Sequence, residues 1–499
     1  MTKDFPTDGK LYHCGTLVYT KSMLAALFAW LLWGDFCYTL MESVTQPIMQ
    51  LKFKGLGASN TEIGLVLITI PGIIFSVMNP IISFKSDRFR SRLGRRIPFI
   101  MATLPFLTLA LVALAFGDQI SRWLYEYLKS TGVSLVAVTT GTLAVLLVAF
   151  TFFNTCFTSM FWYLFRDVVP EKLLARFMSW FRMFAMGSTA LYQYVIFPYS
   201  GTRATQIFLG AAVLYLIGFG LMCLNVREGQ YPPAPPYVGG GTGPIAAVKT
   251  YGRECHSHAH YWYVWAGTFI GSVGAGVGVF NLFFLQRTGL NLAQIGRING
   301  TASIVTGILV LGTGWLADKF HPIRVVVAAG ILGLVVAPAN LIWLYWCPPA
   351  DAVWRWHFWR TVFEVRQVYF VQFCIAVGLR SPVLALGAVW DPVLLMRIFP
   401  GERLGQFCSN NAIWRVGGAI FGASLAGVAL DFMGRWVGKD RAYLYIPVWQ
   451  LLFAIPCFIF LLGLYKSWKR YGGDEAYVAP IPDVLCSEQT AVVAVTPGA

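Results

Sequence analysis

The chain has 499 residues, 57% of them hydrophobic and only 12% charged, with a formal net charge of +15. Charge that sparse cannot clothe a soluble protein of this size, so the composition points to an all-α integral membrane protein. The positive balance does not indicate nucleic acid, because the bases lie in short loops between apolar runs, where they set orientation in the bilayer.

Runs long enough to cross ~30 Å of hydrocarbon, about 20 residues each, begin near Ser22 to Pro47, Thr61 to Phe84, Ile97 to Phe116 and Leu135 to Phe165. Phe177 to Pro198 and Thr205 to Val226 complete a first half, and the Pro- and Gly-rich stretch Gly229 to Pro244 reads as a linker. The second half offers Tyr261 to Leu285, Ile298 to Ala317, Val325 to Trp346, Val368 to Met396, Phe407 to Leu430 and Tyr443 to Lys466. About twelve spans result. The first run is too long for a signal-peptide core and should remain as a helix. Five of the ten cysteines, such as Cys37 and Cys457, sit in apolar runs without disulfide or zinc spacing. The expected division is a cytoplasmic segment 1–21, a bundle 22–228, a linker 229–260, a second bundle 261–468 and a disordered cytoplasmic tail 469–499.

The chain is organised around Ser86 to Arg96, which with Lys85 packs six bases between the second and third runs. Cations are disfavoured in hydrocarbon, so this is a cytoplasmic loop. With both termini on that side, 22 of the 38 Lys and Arg fall in inner segments and 13 in outer ones, leaving Arg182, Arg380 and Arg415 within spans. The halves echo one another: Pro170-Glu171-Lys172 recurs 230 residues later as Pro400-Gly401-Glu402-Arg403, and Asp318 follows Asp87 by 231. Such symmetry predicts two six-helix bundles related by a pseudo-twofold, with a solute cavity near the midplane. The outer stretch Trp354 to Trp359 fits an interfacial aromatic belt.

Asp35 lies 13 residues into the first run, ~20 Å from its inner end at 1.5 Å per residue. Asp35, Thr39, Glu42 and Gln46 share one helical face, a polar stripe that should line water or solute unless Asp35 is a structural carboxylate paired to a neighbouring helix. Arg380 sits at similar depth in the tenth span, before Ser381-Pro382, which should weaken the helix there. Arg182 is shallower and could serve structure or function. Asn154, Thr158, Trp162 and Tyr163 of the fourth span can offer amide, hydroxyl and aromatic faces to a sugar, or ordinary interhelical hydrogen bonds. Gly267, Gly271, Gly274 and Gly278 permit close helix approach in the seventh. Cys255 to His260 has metal-ligand residue types, but without a second cluster it reads as an interfacial segment. No Gly-Lys-Ser/Thr nucleotide loop occurs, so energy should come from a gradient.

Asp87-Arg88-Phe89-Arg90-Ser91-Arg92-Leu93-Gly94-Arg95-Arg96, followed by Ile97-Pro98-Phe99, resembles the loop between helices 2 and 3 of the major facilitator superfamily. It is most similar to sucrose/proton symporters and the glycoside-pentoside-hexuronide:cation symporters. The resemblance implies a gating role for Asp87, Arg88, Gly94, Arg95 and Arg96, with Asp318 as their counterpart. Gly34-Asp35-Phe36 resembles the segment in which melibiose-type carriers place a sugar-binding aspartate. Departures accompany it: Asn79-Pro80 and Phe75 stand where sodium-coupled relatives have aspartates, and Thr158 precedes Trp162 where they have another. The resemblance thus implies proton coupling, or none, over sodium.

The sequence reading is a secondary carrier, not an enzyme, moving a sugar or glycoside with a proton. Asp35 and Glu42 are the proton and substrate carboxylates, Arg380 and Arg182 their partners. No cofactor or metal, a monomer in the bilayer and inward-facing termini are expected. A uniporter or efflux carrier of another solute, or a non-transporting sensor, is the alternative.

Overall fold

The computed structural model describes residues 11–231, 252–346, 348–349, 351–358, 361–400 and 404–480. Most of the expected linker Gly229 to Pro244, Gly401 to Arg403 of the second echo, Trp359 and the tail beyond Pro480 lie outside the described residues.

In hydrocarbon an unpaired backbone amide costs several kcal/mol, so apolar runs become helices that satisfy their own hydrogen bonds. The twelve principal helices are α1 Lys21–Gly55, α2 Asn60–Arg88, α3 Ile97–Ala115, α4 Leu135–Val168, α5 Glu171–Leu191, α6 Ala204–Asn225, α7 Ala259–Arg287, α8 Leu292–Phe320, α9 Pro322–Tyr345, α10 Gln367–Gly387, α11 Leu404–Val437 and α12 Arg441–Arg470. Among the described residues, eleven are long and apolar enough to cross a membrane, and α5, which carries Arg182, is not among them. Several outrun their apolar cores because polar flanks stabilise their ends. The Thr20 hydroxyl accepts from the Met23 amide at the start of α1, Ser59 and Glu62 form a capping box on α2, and Lys52 pairs with Asp118 at 2.8 Å.

Contacts divide the chain into Met1–Pro236 with Leu292–Ile304, and Tyr237–Asn291 with Val305–Ala499. The first unit has a ring-packed core, with Phe157 edge-on to Phe219 at 4.6 Å and Phe161 edge-on to Phe165 at 4.8 Å. An N-terminal hairpin, β1 Tyr12–Cys14 and β2 Leu17–Tyr19, precedes α1. The short helix Gly117–Leu128 follows α3, a polar-apolar element that a search for spans passes over. In the second unit α7 and α11 touch backbone to backbone. A side chain on Gly418 would collide with the Phe269 carbonyl, and one on Gly422 with that of Val273. Gly267 and Gly271 instead border a cavity of about 460 Å³ with Gly330, Gly333 and Gly387.

Two stretches differ from expectation. Residues 469–480 are ordered: α12 reaches Arg470, Gly473–Ala476 is helical, and partners on distant helices hold the chain. Asp474 pairs with Arg324, Tyr477 donates to the Ile398 carbonyl at 2.8 Å, and Tyr261 donates to that of Pro480 at 2.8 Å. The expected belt Trp354 to Trp359 contributes to a hairpin, β3 Val353–Phe358 with β4 Thr361–Arg366, in which Trp354 meets Phe370 edge-on at 5.7 Å.

Candidate functional site

The polar stripe of α1 faces α4 within the first unit. Asn154 donates to Glu42 Oε1 at 2.6 Å, and the Tyr38 hydroxyl approaches Glu42, Thr158 and Trp162. Asp35 is 1% exposed; Thr39 donates to its Oδ1 at 3.3 Å, while its Oδ2 is buried without a hydrogen bond. Asn154 Oδ1 is likewise buried and unmatched. Arg182 lies within electrostatic range of Asp35. Gly34 allows this density of groups, because a side chain there would strike Met222 of α6. Glu42 and Gln46 remain exposed, and Trp162 is 38% exposed with its edge toward Phe181 at 5.1 Å. The cluster can hydrogen-bond a solute, bear a negative charge or take a proton.

Tyr163 belongs to a different set. Its hydroxyl donates to Asn79 Oδ1 at 3.3 Å and accepts from Ser83 at 2.9 Å, while Ser159 donates to the same Asn79 oxygen at 2.7 Å. Asn79 therefore serves as an acceptor for the hydroxyls of α4. The Arg96 guanidinium lies over the Tyr163 ring, 5.1 Å from its centroid, joining this set to the hinge loop.

The hinge loop is a latch built on two carboxylates that sequence reasoning did not single out. Asp167, at the end of α4, receives Arg95 through Nε at 2.8 Å and a second nitrogen at 2.5 Å, and Arg96 Nε at 3.1 Å. Such charge-assisted, forked bonds are stronger than neutral ones, and the Asp167 carboxylate holds the Arg95 guanidinium above its ordinary pKa. Glu228 covers the start of α3, accepting the amides of Arg95 at 2.9 Å, Arg96 at 2.8 Å and Ile97 at 2.6 Å. Those are the unpaired donors of a helix N-terminus, where a negative charge is favoured. Tyr231 donates to Glu228 at 3.1 Å and lies under Arg95 at 4.2 Å. Gly94 has φ +105° and a β-carbon there would fall 2.5 Å from Glu228, so only glycine fits. Asp87 pairs with Arg96 at 2.5 Å and is half-exposed; Arg88 ends α2. The signal available in the sequence was a carboxylate at the end of a span on the same side as a basic loop, visible at Arg166-Asp167 and Arg227-Glu228.

In the second unit, Arg380 ends a π-helical turn, Cys374–Arg380, just before Ser381-Pro382, and Ser381 donates back to Ala376 at 3.2 Å. Proline denies α10 an amide, and the wider turn accommodates the loss. Among the described residues no carboxylate forms an ion pair with Arg380. Asp318 occupies the last turn of α8 as Asp87 does in α2, but its side chain lies outside the described residues. The loop after it has shrunk to His321, held at φ 65°.

Cys255 to His260 is structured, and its imidazoles have separate partners. His256 accepts from Trp414 at 3.1 Å, His258 meets the Tyr471 hydroxyl at 3.2 Å, and His260 lies between Ser467 at 2.7 Å and Tyr477 at 3.1 Å.

Residues 31–379, well over half of the chain, match the family model described as Major Facilitator Superfamily. No curated protein sequence matches significantly. Among solved structures, an inward-facing, unoccupied bacterial homolog of the human lysosomal transporter Spinster is similar at 15% identity and TM-score 0.60, covering 89% of this chain and 98% of that one. The nucleoside transporter NupG aligns at 10% identity and TM-score 0.53, covering 89% and 99%. The inward-open xylose transporter XylE from E. coli aligns at 13% and 0.52, covering 90% and 99%. At such identities the likeness is one of fold.

Proposed function

This chain belongs to the major facilitator superfamily, and from that premise we propose that it carries a sugar or glycoside across the membrane by alternating access, in symport with a proton. The observation that carries this reading is the Asp35–Glu42–Asn154 cluster. Glu42 is exposed and already oriented by Asn154, which suits an acceptor for solute hydroxyls. Trp162, which like Glu42 meets the Tyr38 hydroxyl, offers an apolar ring to the face of a sugar. Asp35 is buried with one oxygen unmatched, a state eased by taking a proton. Protonation also weakens its hold on Arg182, which changes the charge balance of α1 and α5. Moving one charge across the membrane is worth about 2.3 kcal/mol per 100 mV, so a coupled proton can drive accumulation. Asn79 supports proton over sodium, since an amide spent on Ser159 and Tyr163 supplies no charge for a cation.

The positive-inside count supports inward termini, and the likeness of the hinge loop supports the sucrose and glycoside symporter branch. Efflux of an amphipathic compound is the second reading, favoured by the apolar cavity of about 460 Å³ in the second unit. The deciding measurement is uptake of a labelled solute panel into vesicles with imposed pH or sodium gradients. Sugar accumulation driven by pH and indifferent to sodium is expected. Accumulation of no sugar under either gradient would sink the proposal.

A further inference from the structure

A crevice of about 380 Å³ opens in the first unit between α1, α6 and the π-helical turn Tyr192–Ile196 that follows α5. It is distinct from the Asp35 cluster, and its lining is unequally divided. Tyr199, Arg203 and Gln206 supply its polar groups, while Leu40, Val44, Val195, Ile196 and Ile207 are aliphatic. The division follows depth. Arg203, Gln206, Ile207, Gly210 and Ala211 recur at the spacing of one helical face, so Gly210 lies ~10 Å further into the membrane than Arg203. Leu40 and Val44 are 15 and 11 residues from the end of α1 at Gly55, ~22 and ~16 Å along the helix. The charge thus stands at the membrane surface and the apolar floor runs toward mid-bilayer.

Three features keep the crevice open and its mouth positive. A side chain on Gly210 would meet nothing within 4 Å, so the floor is empty space. The π-turn widens the helix and carries Val195 and Ile196 on the opposite wall. The Arg203 guanidinium rests over the Tyr199 ring, 5.2 Å from the centroid, and among the described residues no carboxylate pairs with it. A cation above an apolar slot complements an amphiphile with an anionic head. We propose that this crevice is a binding site for an anionic phospholipid of the leaflet opposite the hinge loop, its phosphate at Arg203 and Gln206 and an acyl chain over Gly210.

The test uses the purified full chain in a neutral detergent, with thermal unfolding as readout. Phosphatidylglycerol, phosphatidylcholine of the same acyl chains and inorganic phosphate are the probes. Phosphatidylglycerol should raise Tm at least twice as far as phosphatidylcholine, and phosphate should leave it unmoved. Arg203→Gln should cut the phosphatidylglycerol shift to the phosphatidylcholine level and Arg203→Lys should restore it, while Gly210→Leu, which fills the floor, should reduce both lipid shifts. Equal shifts by the two lipids in the native chain overturn the proposal without any variant. A full phosphatidylglycerol shift in Arg203→Gln does so too, and a phosphate shift matching the lipid's would make the mouth a bare anion site.

Discussion

Replacing Glu228 by alanine should unlatch the hinge loop from the start of α3. Its carboxylate accepts three backbone amides, from Arg95, Arg96 and Ile97, and the Tyr231 hydroxyl. Hydrogen bonds to a charged group are worth ~1.5–3 kcal/mol each, but in a half-buried loop the freed amides regain water, so the net loss is about 3 kcal/mol. Glu228→Gln keeps the oxygen facing Arg96 and Ile97 and loses the one facing Arg95 and Tyr231, so about half that loss is expected. Amide hydrogen exchange at residues 95–97 reads the opening directly. If local opening governs exchange, the alanine variant should exchange on the order of 100-fold faster. Gly94→Ala should act on the same contact, because its β-carbon would fall 2.5 Å from Glu228. The double variant should therefore lose less than the sum of the singles. Unchanged protection in Glu228→Ala would refute the reasoning, and strict additivity would mean that Gly94→Ala acts through backbone strain alone.

The other carboxylates of the latch should separate by burial. Asp167→Asn removes the buried negative charge shared by Arg95 and Arg96, leaving them the half-exposed Asp87, and should destabilise by ~3 kcal/mol, whereas Asp87→Asn should cost under about 1 kcal/mol and appear chiefly as slower transport with solute affinity retained. Equal unfolding temperatures for the two would contradict that ranking. In vesicles, Asp35→Asn should abolish accumulation while leaving solute exchange, and Glu42→Gln should raise the solute concentration needed for half-maximal uptake. Proton-driven uptake undiminished in both would remove them from the mechanism. Burial, with Arg397 and Arg324 nearby, lowers the pKa of His321 from its ordinary 6.5. The unfolded chain then binds the proton more readily, so stability is full above pH 6.5 and falls as pH drops toward the folded value. His321→Asn, which removes the titrating ring, should flatten that slope in an unfolding series, and an unaltered slope would assign it elsewhere. Gly422→Ala should cost ~1–3 kcal/mol through collision with the Val273 carbonyl, read as a lower unfolding temperature.

The bilayer explains how much was legible. A span must be apolar for about 20 residues, so hydropathy locates it whatever its neighbours are. Periodicity along α1 likewise put Asp35, Thr39 and Glu42 on one face, and the structure sets Asn154 against it. Pairing between helices was not legible. Asp167 lies 72 residues from Arg95 and Glu228 lies 133 from it, distances at which local spacing carries no information. The same limit hid the docking of residues 471–480: the prolines of the tail, Pro480, Pro482 and Pro497, and its lack of helical periodicity suggested disorder, while the partners that hold this stretch sit on other helices. Tyr163 fell on the right helix, but a rotation of about 100° per residue turned it to Asn79 and away from Glu42.

The two carboxylate environments of the first unit differ in a way that bears on turnover. Asp167 accepts from donors of two arginines, and Glu228 from three amides and a phenol, so every oxygen of the two carboxylates is matched. Asp35 is more deeply buried than Asp167, yet it holds one weak hydrogen bond and a bare oxygen. A fixed structural carboxylate would have acquired a partner, because an unmatched buried charge is among the costliest features a fold can keep. On the proposed reading the missing partner is transient, a proton in one state and Arg182 in another. A donor engineered against Asp35 Oδ2 should therefore stabilise the protein and slow its cycle, and a variant that gained stability with no loss of rate would show that the bare oxygen has no part in transport.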